Sequence, residues 1–182
     1  SNNQSNNDES SGNTNESQDA TNDQTTTEDS NILIAYFSKT GNTEAIAQEI
    51  QSLTNGTLVE IETVEPYPDS YSETVDIAES EKEANARPEI STTVDNMDQY
   101  DTIFIGYPIW WHDAPMAVYT FLENYDFEGK TVIPFCTSGG SDIEESIPGI
   151  EAAVSGATML EGLTANDSSD VQPWLEEIGI LK

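Results

Sequence analysis

Ile32-Leu33-Ile34-Ala35-Tyr36-Phe37 runs directly into Ser38-Lys39-Thr40-Gly41-Asn42-Thr43, and Ile46, Ile50 and Leu53 follow at helical spacing. Six apolar residues in a row read as a strand buried on both faces, as in a parallel sheet. The i, i+4, i+7 pattern after the loop predicts a helix from about Thr43 to Leu53. The polar loop therefore joins the end of a buried strand to the start of a helix. Helix starts leave N–H groups unpaired and carry partial positive charge, which makes them anion sites. Hydroxyls, an amide and a glycine in six residues can wrap a phosphate closely. Ser38 to Thr43 is the candidate for holding the phosphate of a cofactor, and Lys39 is its only cation.

Outward from this stretch, apolar runs alternate with helical patterns. Strands are predicted at 57–61, 102–107, 131–137 and 157–160. A strongly polar helix is expected from about Tyr71 to Ala86, opened by the capping box Ser70-x-x-Glu73 and ended by Arg87-Pro88, lying largely in solvent. Asp113 is the expected N-cap of a helix reaching Asn124, with Pro115 in its first turn. Ser141-x-x-Glu144 should open another helix that Pro148-Gly149 breaks early, and Val171, Trp174, Leu175 and Ile178 mark the face of the last. This alternation implies an α/β fold: a three-layer, doubly wound, five-stranded parallel sheet with helices on both faces. Pro134 conflicts with an interior fourth strand, because proline cannot donate to a ladder, and a bulge or a gap in pairing is expected there.

In such sheets ligands bind beyond the carboxyl ends of the strands. Two further loops belong to that edge. Pro108, Ile109, Trp110 and Trp111, preceded by Tyr107, bring aromatics that suit a flat conjugated ring, with one tryptophan expected in the core and the other facing the ligand. Thr137, Ser138, Gly139 and Gly140 are small enough to approach a ring edge closely. Cys136 reads as a buried inert thiol, and His112 as a loop surface residue that also lies in the candidate site.

Composition removes whole classes of function. Acids outnumber bases 35 to 5 in 182 residues, for a formal net charge of -30, so a nucleic-acid partner is excluded on charge. One cysteine and one histidine leave no disulfide and no Cys/His metal cluster. No apolar run approaches the roughly 20 residues of a membrane span. The patterns G-x-x-x-x-G-K-[ST] and G-x-G-x-x-G are absent, which argues against a nucleoside triphosphatase and a dinucleotide fold. Residues 1–30 form a separate region, almost wholly Ser, Asn, Thr, Gln, Asp and Glu, and are expected to be disordered. Their expected role is a spacer to a lipidated cysteine just upstream of Ser1, placing the domain on the extracellular face of a bacterial membrane. The alternative is a cytoplasmic chain with an arbitrary tail.

From Ile32 to Leu181 the chain resembles the flavodoxin-like family, specifically bacterial flavodoxins with a Y-P-I-W-W segment after the third strand. Ser38-x-Thr40-Gly41-Asn42-Thr43 matches the family's phosphate signature for flavin mononucleotide (FMN). Tyr107-Pro108-Ile109-Trp110-Trp111 and Cys136-Thr137-Ser138-Gly139-Gly140-Ser141 match its two ring-binding loops. The resemblance implies strand order 2-1-3-4-5, an FMN-binding domain over residues 31–182, and one- or two-electron redox chemistry. Electron-carrier flavodoxins typically place an aromatic in the loop after the fourth strand, and this chain has none there. One face of the ring is thus expected to stay open. The long insertion that splits the fifth strand in some members is absent. Three functions follow as expectations: an electron carrier docking on a basic redox partner protein, an NAD(P)H- or quinone-linked FMN reductase, or a surface binding module without cofactor.

Overall fold

The computed structural model describes residues 31–138, 140–165 and 167–181. The acidic tail, with its expected disorder and tether role, lies outside the described residues, as does Gly139.

Strands β1 (Ile32–Tyr36), β2 (Thr57–Glu60), β3 (Thr102–Pro108), β4 (Thr131–Thr137), β5 (Thr158–Met159) and β6 (Leu163–Ala165) form one sheet. Its order is β2-β1-β3-β4-β5, with β6 also on β4, and every pairing is parallel. Helices α1 (Asn42–Thr54), α2 (Tyr71–Ala84), α3 (Met116–Glu123), α4 (Ile147–Ala153) and α5 (Val171–Glu177) surround it. Side chains alternate across the strands, so β1 sends Leu33 and Ala35 to one face and Ile34 and Tyr36 to the other. The first face packs Ile103, Ile105 and Tyr107 against α3 and α4. The second packs Phe104 and Phe135 against Ile46 and Ile50 of α1 and Trp174 and Leu175 of α5. These are the three layers expected from the alternation of elements.

The fifth position of the sheet differs from its expected form. It holds two short strands instead of one over 157–160. β5 pairs with Thr131 and Val132, and β6 pairs with Phe135 to Thr137. The interval opposite Ile133 and Pro134 is unpaired on that edge, while Pro134 keeps its register with Ile105 of β3. Proline thus removes a donor only where the edge strand is already broken. Gly162 crosses the gap so near the Pro134 carbonyl and ring that a Cβ there would lie 2.9 and 3.1 Å from them.

Three helix ends also move. α2 stops at Ala84 with Asn85 in the left-handed conformation, before Arg87-Pro88 is reached. α3 begins at Met116, because the Asp113 carboxylate caps Ala114 and not a helix start. Pro148 lies in the first turn of α4, where its missing N–H costs nothing, and so begins that helix where an early break was expected. The expected polar character of α2 holds: only Thr74 and Ala78 are buried along it.

Candidate cofactor site

At the carboxyl edge of the sheet, the loops after β1 and β3 and the amino-terminal half of α2 enclose a cleft of about 350 Å³. Its lining includes Lys39, Thr40 and Thr43 from the first loop and Pro108, Ile109, Trp110 and Trp111 from the second. Hydroxyls and a cation stand on one side, and apolar and aromatic groups on the other.

The first loop is held by its own side chains. Ser38 Oγ accepts the N–H groups of Gly41 at 3.1 Å and Glu44 at 3.3 Å, so this hydroxyl shapes the loop. Gly41, at φ 96, turns the chain into α1 in a conformation that a side chain would strain. The N–H groups of Thr40, Asn42 and Thr43 make no hydrogen bond among the described residues. That cradle, with the Thr40 hydroxyl and Lys39 beside it, is the donor set a phosphate monoester needs. Thr43 is buried, and its Oγ1 shares a 2.8 Å hydrogen bond with Thr137 Oγ1. That bond ties the end of β4 to the first loop, and the Thr137 carbonyl accepts the Ile109 N–H at 3.1 Å. The three loops predicted to share one edge therefore touch.

The tryptophans divide. The Trp110 ring meets those of Phe37 and Tyr67 edge-on, each 5.4 Å away, and packs against the core. Trp111 stays exposed, and its indole N–H donates to the Val75 carbonyl of α2 at 3.0 Å. Trp110 and Asp113 close a tight turn through two backbone hydrogen bonds, with Trp111 and His112 between them at φ 54 and 66. Glycine or asparagine is the usual occupant of such positions, and a bulky residue there costs about 1–3 kcal/mol. Asp113 holds the turn in place. Its carboxylate accepts the Ala114 N–H at 2.7 Å and the Tyr119 hydroxyl at 2.6 Å, and it pairs with Lys82 of α2 at 3.4 Å.

Other predicted residues take different places. Tyr107 is not at the cleft. It is fully buried, bonded to Ser146 at 2.7 Å, and burial pushes its hydroxyl up. Ser38, Gly41 and Asn42 belong to the loop without lining the cleft, and neither do Thr137, Ser138 or Gly140. Ser138 Oγ accepts the N–H groups of Gly140 and Ser141 and curls its own loop. Burial raises the Cys136 thiol to about 12, which keeps it inert. His112 is exposed and bonded to Glu145 at 2.9 Å. Sequence reasoning missed Asp69, Tyr71, Thr74, Val75 and Ala78, all of which line the cleft. The last four stand at i, i+3, i+4 and i+7, a spacing visible in the sequence but submerged among the acids of α2.

This is the doubly wound fold of a small flavin-type protein, with its cleft at the switch in strand order. The flavodoxin family model matches residues 31–178, and the chain belongs to the flavodoxin family. Among solved structures it is similar to a candidate flavoprotein of Bacteroides eggerthii. The two are 36% identical with a TM-score of 0.74, over 83% of this chain and 98% of that one. A candidate flavoprotein of Bacteroides uniformis is 33% identical with a TM-score of 0.70, over 80% of this chain and 97% of that one. A flavoprotein of Lactobacillus acidophilus, solved in complex with FMN, is 28% identical with a TM-score of 0.66, over 79% of this chain and 97% of that one. No curated protein sequence matches the chain.

Proposed function

We propose that the cleft binds FMN and that the protein carries electrons between partner proteins. The observation that carries this reading is the polarity of one cleft, lined by Lys39, Thr40 and Thr43 of the first loop and by Trp110 and Trp111 of the second. The N–H groups of Thr40 and Thr43, the Thr40 hydroxyl and Lys39 would hold the phosphate. Ile109 and Trp111 would bound the ring. FMN, when bound, supplies the redox chemistry. The protein would orient it and hold it between the first loop, the second loop and α2. The complex of the L. acidophilus relative with FMN supports the choice of cofactor.

The carrier is favoured over the pyridine-nucleotide reductase by the charges at the cleft. Lys39 is the only cation among the described residues lining it, and the flavin phosphate would occupy it. A dinucleotide's phosphates would find no second one. The net charge of -30 would steer docking to a basic redox protein. The test begins with ligand-free full chain titrated with FMN, where stoichiometric uptake and a yellow protein are expected. A colourless protein that takes up no FMN would overturn the reading. The loaded protein is then expected to exchange electrons with a basic redox protein at rates that fall as salt rises. Steady turnover of NAD(P)H with a quinone would instead establish the reductase.

A further inference from the structure

The loop after β4 offers no aromatic ring, but α2 does. Tyr71, Thr74, Val75 and Ala78 form one stripe of that helix, and the stripe faces the cleft. Three of the four are small or β-branched and make a low wall. Tyr71 stands at the amino-terminal end of the stripe with 81% of its surface exposed. A ring so exposed contributes nothing to the core. Trp111 is bonded through its indole N–H to Val75 within the same stripe and is 39% exposed. Four large apolar side chains are left exposed among the described residues: Val64, Tyr71, Ile77 and Trp111. The two that are aromatic both line this cleft.

We propose that Tyr71 supplies the aromatic face missing from the β4 loop, so that a flat conjugated ring in the cleft lies between Tyr71 and Trp111. The proposal rests on the reading of this cleft as an FMN site. It makes α2 a ligand-binding helix, with Thr74, Val75 and Ala78 small so that the ring fits beside them. It also closes the ring face expected to be open, which leaves a nicotinamide less room to stack and accords with electron transfer at an edge.

The test compares the wild-type full chain with Tyr71→Ala and Tyr71→Phe, each titrated with FMN and with lumiflavin, which has the ring but no phosphate. Tyr71→Ala is expected to bind both ligands roughly tenfold more weakly, by analogy with loss of base–aromatic stacking. Part of the bound flavin's fluorescence should return, and its visible circular dichroism should change. Tyr71→Phe keeps the ring and should match wild type. Ligand-free melting curves of the three should coincide, because the side chain is exposed. Wild-type affinity and unchanged flavin spectra in Tyr71→Ala would overturn the role of Tyr71 while leaving the FMN site standing. Wild-type chain that takes up no FMN would overturn both.

Discussion

α1 meets the cleft with its amino terminus, and α2 meets it with its side. Behind its terminus, α1 buries Ile46, Ala47 and Ile50 under the sheet, where they join α5 in a closely packed core. α2 buries only Thr74 and Ala78. Polar contacts hold it instead: Lys82 to Asp113, Glu81 to Tyr67, and the Val75 carbonyl to Trp111. On the proposed reading, phosphate recognition would rest on the half packed into the core and ring recognition on the half anchored by hydrogen bonds. The first needs a fixed backbone cradle. The second needs a space, and a space is kept by leaving residues small.

The sharpest way to break this contrast is to add carbon on each side. Gly106 of β3 faces the α1 layer, and a Cβ there would land on the Phe135 ring. Gly106→Val should cost roughly 3 kcal/mol or more of stability through overpacking, measured by denaturant unfolding of the ligand-free chain. Val75 on α2 lines the cleft and is only half-buried, so Val75→Phe should change stability by less than about 1 kcal/mol yet fill the cleft and weaken FMN binding at least tenfold. Equal loss of stability in the two variants would erase the distinction between a packed and a vacant side.

Thr43 and Thr40 sharpen the packed half. Thr43→Ala removes the bond to Thr137 and should lose stability, by about 1 kcal/mol, while keeping the N–H offered to the phosphate. Thr40 is exposed and its hydroxyl is a proposed phosphate donor, so Thr40→Ala should lose FMN affinity alone, by roughly 1–3 kcal/mol. Titration of both ligand-free variants with FMN checks this, and unchanged affinity in Thr40→Ala would place the phosphate elsewhere.

The same contrast explains what the sequence could tell. β1, the loop at 38–43 and α1 were legible because continuous apolar strands and a helical repeat leave little ambiguity. β4 matched its predicted span despite Pro134 because its partners on one side stop where the donor is missing. The split of the fifth strand was not legible, since it depends on Gly162 passing Pro134 in space. The start of α3 shifted because Asp113, which has the composition of a cap, is occupied by the Trp110 turn and Tyr119. Least legible was the cleft face of α2, hidden within a helix whose polar, largely exposed character is plain from its sequence. Its cleft stripe is apolar only over one short run, and what it faces is set by Trp111, which lies 36 residues further along the chain.

Glu81 tests how α2 is held. Its carboxylate accepts the Tyr67 hydroxyl at 2.7 Å, and the Tyr67 ring completes the trio with Phe37 and Trp110. Burial raises the Glu81 carboxyl above the usual range, and the bond from Tyr67 offsets this only in part. A raised folded value means that the folded chain holds the proton more tightly than the unfolded chain. The stability this gives is complete below the unfolded value, about pH 4.3, and is lost as pH rises through the folded one. At neutral pH the ionised carboxylate therefore weighs against α2 docking. Glu81→Gln keeps an acceptor for Tyr67 and cannot ionise. It should raise stability at pH 7 by less than about 1 kcal/mol, since the group is only half-buried, and the gain should vanish near pH 4. Thermal unfolding of both chains across that range measures the gap. A gap that stayed constant to pH 4, or a loss of stability at pH 7, would mean that the hydrogen bond from Tyr67, and not the desolvated charge, governs how this helix is held over the cleft.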